Sequence, residues 1–309
     1  MLKVQLTSIM NVPYQNIKGG ETVTAPNLEE ETVERDQTAV IYEKNSTVEN
    51  SVYGTAGASA RTSLYDQRLQ ADLASLGFYN GPINGDFSSA LSKKAVTNFQ
   101  KVYGISVNGK MNTSTLNKLK EVNEMYRKVA QSIELTELVS KYELNLDSVE
   151  KQNLAKIWTF FRVGMGFTTE QAAGICGNLY AESKFSTDNA QGNKNTGKYL
   201  KDHDSDYSFS VSDNIGYGLE QWTVESVKTT LKKTANKMGL SVSDLNAQLA
   251  TIREEIESTR VKDWKTVLAN STISKVSDAF LDEIERPEIK EYTKRRNYSK
   301  EIYAFLKRY

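Results

Sequence analysis

The chain has 309 residues, and its 39 Lys and Arg residues are balanced by 39 Asp and Glu residues. A chain without net charge has no overall basic field to recruit nucleic acid or an anionic membrane surface, so neither is expected as a partner. No apolar run approaches the ~20 residues that a membrane-spanning helix needs. The length is sufficient for two domains of common size.

The chain has one cysteine, Cys176, and one histidine, His203. A single cysteine excludes disulfides within the chain. The scarcity of both residue types argues against a zinc amidase or zinc peptidase, whose sites usually need several such ligands. A hydrolase built on one Cys and one His remains an alternative, but Cys176 lies among small and apolar residues and is expected to be a buried hydrophobe. No metal or other cofactor is predicted.

Residues 1–62 differ in composition from the rest of the chain. They combine a Gly-Gly pair, an acidic run at residues 29–31 and a run of small residues at 54–60, with poor apolar periodicity. This composition predicts a disordered arm with a flexible tether. We interpret the arm as a docking or export segment; the alternative is a mere leader. Its first residues lack the apolar core of a secretory signal.

A compact unit of three short helices is predicted over residues 63–121. The first helix ends at Gly77, a typical C′ glycine, and two Asn-Gly turn signals follow it. The unit resembles the three-helix peptidoglycan-binding domain through several motifs: Arg68-Leu69-Gln70, Leu76-Gly77-Phe78, Asn84-Gly85-Asp86-Phe87, Ala95-Val96-x-x-Phe99-Gln100, and the Gly-x-x-x-x-x-Thr-x-x-x-Leu run from Gly109 to Leu119. One departure is the run from Ser88 to Ser92, which replaces the usual Gly-Pro-x-Thr. The resemblance implies attachment to cell wall; a spacer or protein-docking unit is the alternative.

Residues 122–149 are charged, with apolar residues at helical spacing, and predict a helical connector. The stretch from 164 to 185 then predicts a helix that ends by presenting Glu182. Thr168 and Gln171 have the spacing of a capping box. Glycines inside a helix are unfavourable, so Gly174 and Gly177 suggest that another backbone packs closely here. The negative end of the helix dipole and partial burial would favour the uncharged form of the Glu182 carboxyl. Such an acid is what cleavage of a glycosidic bond needs.

Three motifs occur between residue 150 and the end of the chain. The helix ending in Glu182-Ser183-x-Phe185 is followed by the run Tyr217-Gly218-Leu219-Glu220-Gln221-Trp222, and then by the run from Phe280 to Pro287 with Arg295 or Arg296 behind it. Together they resemble the phage-type branch of the lysozyme and lytic-transglycosylase superfamily. The fold class expected is therefore mainly α, a small three-helix peptidoglycan-binding-like domain plus a larger α-rich lysozyme-like domain over 150–309.

The resemblance implies a set of site residues. Glu182 corresponds to the general acid that protonates the leaving glycosidic oxygen; the alternative is an ordinary surface glutamate at a helix end. Ser183 would contact the substrate or orient Glu182, and Gln221 would line the sugar groove. Tyr217 and Trp222 flank the same element and would stack on sugar faces, unless they are core residues.

A second carboxylate decides the mechanism. A retaining hydrolase needs one about 5 Å from the acid and an inverting one needs room for a water, whereas a lytic transglycosylase manages with a single Glu. Asp213, just before the Tyr217–Trp222 run, is the first choice. The other candidates are Asp188, Asp202, Asp204, Asp206 and Glu220. The acidic run 202–206 would alternatively bind a cation through oxygens, although a solvated loop is the simpler interpretation.

The predicted function is that of a modular peptidoglycan hydrolase, which cuts between N-acetylmuramic acid and N-acetylglucosamine and is targeted by a wall-binding domain. A phage endolysin, a virion or injection-system lysin, a lytic transglycosylase and a muralytic factor of a bacterial surface assembly all fit this description. We expect peptidoglycan as the partner, and a virion, tail or export machine as the partner of the arm. Release by a holin, or carriage on such an assembly, would bring the enzyme to the wall. The alternatives are a non-catalytic structural protein with a degenerate lysozyme fold and a peptidase acting through Cys176.

Overall fold

The structure is a computed structural model and describes residues 64–135, 144–191, 207–287 and 289–309. The mainly α fold expected from the sequence is confirmed. The predicted arm at 1–62, part of the connector, and the candidates Asp202, Asp204 and Asp206 lie outside the described residues. The described helices are α1 (Leu64–Ser75), α2 (Ala90–Val102), α3 (Thr113–Leu135), α4 (Ser148–Thr159), α5 (Thr169–Ser183), α6 (Glu225–Met238), α7 (Leu245–Glu254), α8 (Val261–Leu268), α9 (Ile273–Phe280) and α10 (Tyr292–Leu306).

Three of these helices continue into π-helical turns, which the sequence analysis did not predict. Helix α4 continues into Phe160–Gly164, α7 into Glu255–Thr259 and α9 into Leu281–Glu285. Each turn closes on a wider hydrogen bond than an α-helix makes; the amide of Arg286, for example, donates to the carbonyl of Leu281 across 2.9 Å. A π-helical turn holds one extra residue and is frequent at functional sites.

The described residues divide into two compact units, one of residues 64–96 with 109–116 and one of the remaining described residues. In the first unit, the side chain of Gln70 fixes the turn that follows α1. Its Oε1 accepts hydrogen bonds from the amides of Asn84, at 2.8 Å, and Gly85, at 2.6 Å. Its Nε2 donates to Ser92 Oγ across 3.1 Å. The Gln of the Arg-Leu-Gln motif is therefore a buried structural residue that joins the turn to α2.

Helix α5 is central to the second unit and packs against α9 and α10. It begins as predicted: Thr168 Oγ1 accepts from the amide of Gln171, whose side chain accepts in turn from the amide of Thr168. A Cβ atom placed on Gly177 would lie 2.5 Å from the backbone nitrogen of Ser299 in α10. Only glycine therefore allows α10 to approach this closely, which confirms the close backbone contact expected of the helix.

Cys176 lies in the middle of α5 and is completely buried, as the sequence predicted. Burial raises the pKa of its thiol far above the ordinary range, so the thiolate needed for nucleophilic attack is strongly disfavoured. This placement argues against a peptidase acting through Cys176. Within the described ranges, no helix is both long and apolar enough to cross a membrane.

Candidate active site

Glu182 lies in the last turn of α5, one residue before the helix ends. Lys184 caps the helix in the left-handed conformation, with φ of 53°, and Phe185 is buried directly after it. The side chain of Glu182 keeps 16% of its surface exposed and forms an ion pair with Arg295 of α10. The carboxyl is therefore held in place while it remains reachable from outside.

Arg295 is itself held by α5. Its Nη1 donates to Asn178 Oδ1 across 3.2 Å, and Asn178 lies one turn before Glu182 on the same helix. The side-chain amide nitrogen of Asn178 donates to the backbone carbonyls of Gly174, at 2.9 Å, and Ser277, at 3.0 Å. The C-terminal motif contains two adjacent arginines, and the structure assigns them different partners, since Arg296 pairs with Asp278 instead.

The second motif forms a tight turn in which the backbones of Tyr217 and Trp222 bond to each other, at 3.0 and 3.2 Å. Gly218 has a φ of +74°, and a Cβ there would lie 2.8 Å from the Gln248 side chain. Gln248 accepts from the amide of Leu219 across 3.0 Å and so fixes the turn to α7. Ser183 joins the two motifs, because its hydroxyl donates to the carbonyl of Leu219 across 3.1 Å.

The residues predicted to bind sugar take inward-facing positions. Ser183 is 1% exposed, and its hydroxyl also bonds to a carbonyl of its own helix. Gln221, half-buried with a φ of 46°, donates from Nε2 to the carbonyls of Asn189, at 3.1 Å, and Gly218, at 3.0 Å. In this structure both side chains hold backbone segments around Glu182.

Tyr217 and Trp222 are 5% and 4% exposed. Tyr217 packs against the rings of Tyr207 and Phe209, and burial raises its pKa to about 12. The indole of Trp222 donates to Glu220 Oε2 across 3.1 Å. Both rings are core residues here, which is the alternative considered above, and they do not form the sugar-stacking surface that the resemblance suggested.

Asp213, the first choice for a second carboxylate, forms a structural ion pair. Its Oδ1 lies 2.5 Å from Nζ of Lys228, a residue of α6 that is completely buried. Tyr207 donates to the other carboxylate oxygen across 2.6 Å. Burial alone would raise the pKa of Asp213, but the hydrogen bonds from Lys228 and Tyr207 outweigh it and lower the pKa. These contacts anchor the segment before the second motif on α6.

Three other carboxyl groups lie in the same part of the unit: the charge of Glu182 acts on Glu220 and Glu285, and Glu255 adjoins Glu220. Glu220, in the second motif, is 4% exposed, and Glu255, at the first position of the π-helical turn after α7, is 1% exposed. Glu285, the last residue of the π-helical turn after α9, is half-buried with one oxygen fully enclosed. Sequence analysis named Glu220 as a candidate but missed Glu255 and Glu285, since only the folded chain brings them here.

These buried acids influence one another. Burial raises the pKa of Glu220, and Arg260 partly offsets the effect. Burial, and then the negative charge of Glu220, raise the pKa of Glu255 well above its ordinary range. Burial raises the pKa of Glu285 in the same way, followed by the charges of Glu182 and Glu220, while Arg295 and Arg260 oppose the shift. The neighbourhood of Glu182 thus retains protons at a pH where ordinary glutamates are charged.

Arg260 is the second cation of this cluster. Its Nη1 lies 3.8 Å from Glu220 and 3.6 Å from Glu255. Its Nη2 donates to the carbonyl of Ile284 across 2.5 Å, which holds the π-helical turn that carries Glu285. Within the described part of the chain, no group of three or more His, Cys, Asp and Glu side chains is arranged to hold a metal ion.

Two parts of the chain match known protein families. Residues 152–306, about half of the chain, match the phage tail lysozyme family. The chain belongs to this family. Residues 67–119 match the putative peptidoglycan-binding domain, which agrees with the resemblance of the N-terminal motifs. No curated protein and no solved structure matches the chain. The two families together support a peptidoglycan-lytic function.

Proposed function

We propose that this phage tail lysozyme family member cleaves the glycan strand of peptidoglycan between N-acetylmuramic acid and N-acetylglucosamine, with Glu182 as the general acid. The observation that carries the proposal is the exposure of Glu182. Its side chain is 16% exposed, while Glu220 and Glu255 are enclosed. A general acid has to reach the glycosidic oxygen that it protonates, and Glu182 has this access.

The rest of the site supports that role by fixing Glu182. Arg295 pairs with its carboxylate, and Ser183 bonds its helix end to the second motif. After the proton leaves, the carboxylate is stabilised by the guanidinium already in contact with it. The residues that the resemblance assigned to substrate binding, Ser183, Gln221, Tyr217 and Trp222, act in this proposal by positioning the backbone around the acid.

A specific observation favours lytic transglycosylase chemistry as the second candidate. A retaining hydrolase needs a second carboxylate about 5 Å from the acid, and an inverting one needs a more distant carboxylate that activates a water. Asp213 is bound by Lys228 and Tyr207, and Glu220 is enclosed. In a transglycosylase the substrate's own hydroxyl attacks, so no water-activating carboxylate is required. Products with 1,6-anhydro-muramic ends would identify this reaction.

The peptidoglycan-binding domain would raise the local concentration of the wall around the catalytic domain. We propose that the enzyme acts in the bacterial cell wall, delivered by a holin, a virion or a secretion assembly. The arm at 1–62 would dock on such an assembly.

Mass spectrometry of muropeptides tests the catalytic proposal. Purified peptidoglycan is digested with the wild-type chain, with Glu182→Gln and with Glu225→Gln, a matched change at an exposed position on α6. We expect Glu182→Gln to cut at least about a hundredfold more slowly, with Glu225→Gln unchanged. Reducing muramic ends would indicate a hydrolase, and products one water lighter a transglycosylase.

Three results would contradict the proposal. An active Glu182→Gln variant would remove Glu182 from its role. Free amines without new glycan ends would indicate a peptidase or amidase. A folded wild-type chain that releases nothing from several wall chemotypes would support the non-catalytic alternative.

A further inference from the structure

Two buried glutamates lie against one guanidinium in the second unit. Nη1 of Arg260 lies 3.8 Å from Oε2 of Glu220 and 3.6 Å from Oε2 of Glu255. Both glutamate side chains are almost completely enclosed. With both carboxyls ionised, one negative charge would be uncompensated in this place, which a low-dielectric environment strongly disfavours. The cluster is neutral when one of the two carboxyls keeps a proton.

The hydrogen bonds of the two carboxyls point to the same proton. Glu220 Oε2 accepts from the indole Nε1 of Trp222 across 3.1 Å. Glu220 Oε1 and both side-chain oxygens of Glu255 are buried, and no N–H or hydroxyl group of the described residues donates to them. An enclosed acceptor without a donor is costly. A carboxylate only accepts, whereas a protonated carboxyl also donates, so a proton on one glutamate supplies the donor that the other lacks.

We propose that Glu255 is a positioning residue, which carries this proton and shares it with Glu220, so that the neutral cluster holds the second motif in place. Leu219, the residue before Glu220, accepts a hydrogen bond from the hydroxyl of Ser183 across 3.1 Å, and Ser183 adjoins Glu182 in α5. The proton therefore acts on the turn to which the helix end of Glu182 is bonded. Its importance for cleavage rests on the function proposed above, whereas the sharing of the proton does not.

Arg260 connects the cluster to a third segment. Glu220 belongs to the second motif, and Glu255 is the first residue of the π-helical turn after α7. Nη2 of Arg260 donates across 2.5 Å to the carbonyl of Ile284, in the π-helical turn after α9. Loss of the shared proton would leave two negative charges against one guanidinium that also holds this segment. We therefore expect the second motif to be held less firmly once the proton has dissociated.

The charges around the pair agree with a proton on Glu255. Burial raises the pKa of both carboxyls, and the negative charge of Glu220 raises that of Glu255 further, while Arg260 opposes both shifts. Two groups coupled in this way titrate as a pair. The other charged groups that face the cluster are Glu182 and Glu285, which interact with Glu220, and Asp263, which lies 3.8 Å from Nε of Arg260 and is paired with Arg286 across 3.1 Å.

The indole signal of Trp222 tests the inference by NMR in the full chain. The chain has three tryptophans, and the Nε1–H signal of Trp222 is assigned by its loss in Trp222→Phe. Because this indole bonds to Glu220, its chemical shift should follow the shared proton, with a midpoint at least about one unit above the ordinary value of about 4.3. Trp158 and Trp264, whose indoles have no hydrogen-bond partner among the described residues, should not follow this step. An ordinary midpoint for Trp222 would overturn the inference, whether or not a variant at Glu255 folds.

Two matched variants assign the proton. Glu255→Gln leaves Glu220 alone with Arg260, so the midpoint seen by Trp222 should move to lower pH by at least about one unit. Glu257→Gln is the control, because Glu257 is on the same π-helical turn but is 56% exposed, and its midpoint should equal that of the wild type. A wild-type midpoint in Glu255→Gln would show that Glu255 does not share the proton and would overturn the inference.

Hydrogen exchange tests the positioning. The amides of Tyr217 and Trp222 bond to each other's carbonyls within the second motif. In the wild type we expect their protection, corrected for the intrinsic exchange rate, to fall at least about tenfold as pH rises through the midpoint, which is the factor that one pKa unit corresponds to. In Glu255→Gln the protection should persist, and constant protection in the wild type would refute the positioning role. Neither measurement uses peptidoglycan, so the expected titration together with an active Glu182→Gln would refute the proposed function and leave the shared proton standing.

Discussion

Arg295 Nη1 lies 3.2 Å from Asn178 Oδ1, so the arginine that pairs with Glu182 is itself bound to the same helix one turn earlier. Asn178 is completely buried and uses its amide nitrogen on backbone carbonyls of α5 and α9. The position of the Arg295 guanidinium is thereby determined by three helices, α5, α9 and α10. This relationship makes Arg295 a part of the fold as well as of the site.

Arg295→Met tests both contributions. The change leaves Asn178 Oδ1 buried without its donor and Glu182 without its cation, so we expect the free energy of unfolding to fall by about 1–3 kcal/mol. Cleavage should slow by at least about tenfold, because an ion pair that fixes the acid is lost. Urea denaturation and muropeptide release measure the two effects. Arg296→Met is the control, since Arg296 pairs with Asp278 on the surface and is 38% exposed; an equal effect of the two changes would contradict this prediction.

Glu255 predicts an unusual dependence of stability on pH. In the unfolded chain it ionises near its ordinary pKa, whereas burial and the charge of Glu220 raise the pKa of Glu255 in the folded chain. Between these two values the unfolded state binds fewer protons, so stability falls as pH rises. The contribution of Glu255 is complete below the unfolded pKa and is lost as pH rises through the folded one, at up to about 1.4 kcal/mol per pH unit.

Glu255→Gln removes this dependence because glutamine stays neutral. We expect its melting temperature to fall less than that of the wild type from about pH 5 to about pH 8. Thermal unfolding followed by circular dichroism at several pH values measures the difference. Glu257→Gln, on the same π-helical turn but 56% exposed, should follow the wild type. A wild-type slope in Glu255→Gln would show that Glu255 is charged in the folded chain.

Cys176 offers a direct test of the peptidase alternative. It is the only cysteine of the chain and is completely buried in α5, so a thiol reagent should modify it only when the protein unfolds. We expect labelling in the native state to be at least about a hundredfold slower than in denaturant, and Cys176→Ala to keep its activity on peptidoglycan. Rapid native labelling, or loss of activity in a folded Cys176→Ala, would revive the nucleophilic role.

Gly177→Ala tests the close approach of α5 and α10. In an open helix this change would stabilise the protein by about 1 kcal/mol. Here the added Cβ would lie 2.1 Å from Ser299 Oγ and 2.5 Å from its backbone nitrogen, so the helices have to separate. We expect a loss of about 1–3 kcal/mol in the free energy of unfolding, measured by urea denaturation. A more stable variant would show that the helices are not in contact at this point.

Local patterns in the sequence predicted α5 well. The capping box at Thr168 and Gln171, the small residues facing α10 and the position of Glu182 in the last turn all depend on spacing within one helix. The burial of Tyr217 and Trp222 was undecided, because an aromatic ring in a short turn suits a groove or a core equally. Only the packing of Tyr207, Phe209 and Glu220 around them resolves the choice in this structure.

The acids around Glu182 were harder to predict because they come from distant parts of the chain. Glu255 and Glu285 belong to π-helical turns. The run from Phe280 to Pro287 is recognisable as a family motif but gave Glu285 no role, and the turn that carries Glu255 lies in no recognised motif. The position of Asp213 next to the second motif made it the first candidate for a second carboxylate. Its ion-pair partner, Lys228, lies 15 residues later on α6. The charged partners that determine the role of each carboxyl are distant in the sequence, so sequence patterns did not predict these pairs.

The two π-helical turns that carry Glu255 and Glu285 also bear on how sequences of this family should be compared. Each turn contains one residue more than the α-helical turn it replaces, and one residue corresponds to a rotation of about 100° around the helix axis. Deleting a residue ahead of Glu285 in its turn would rotate Glu285 away from its present position, whereas a deletion after Glu255 would rotate Arg260 away from Glu255. A relative that shows a one-residue gap at either turn would therefore have lost this placement of charges, even where the glutamate is still present in the adjoining column.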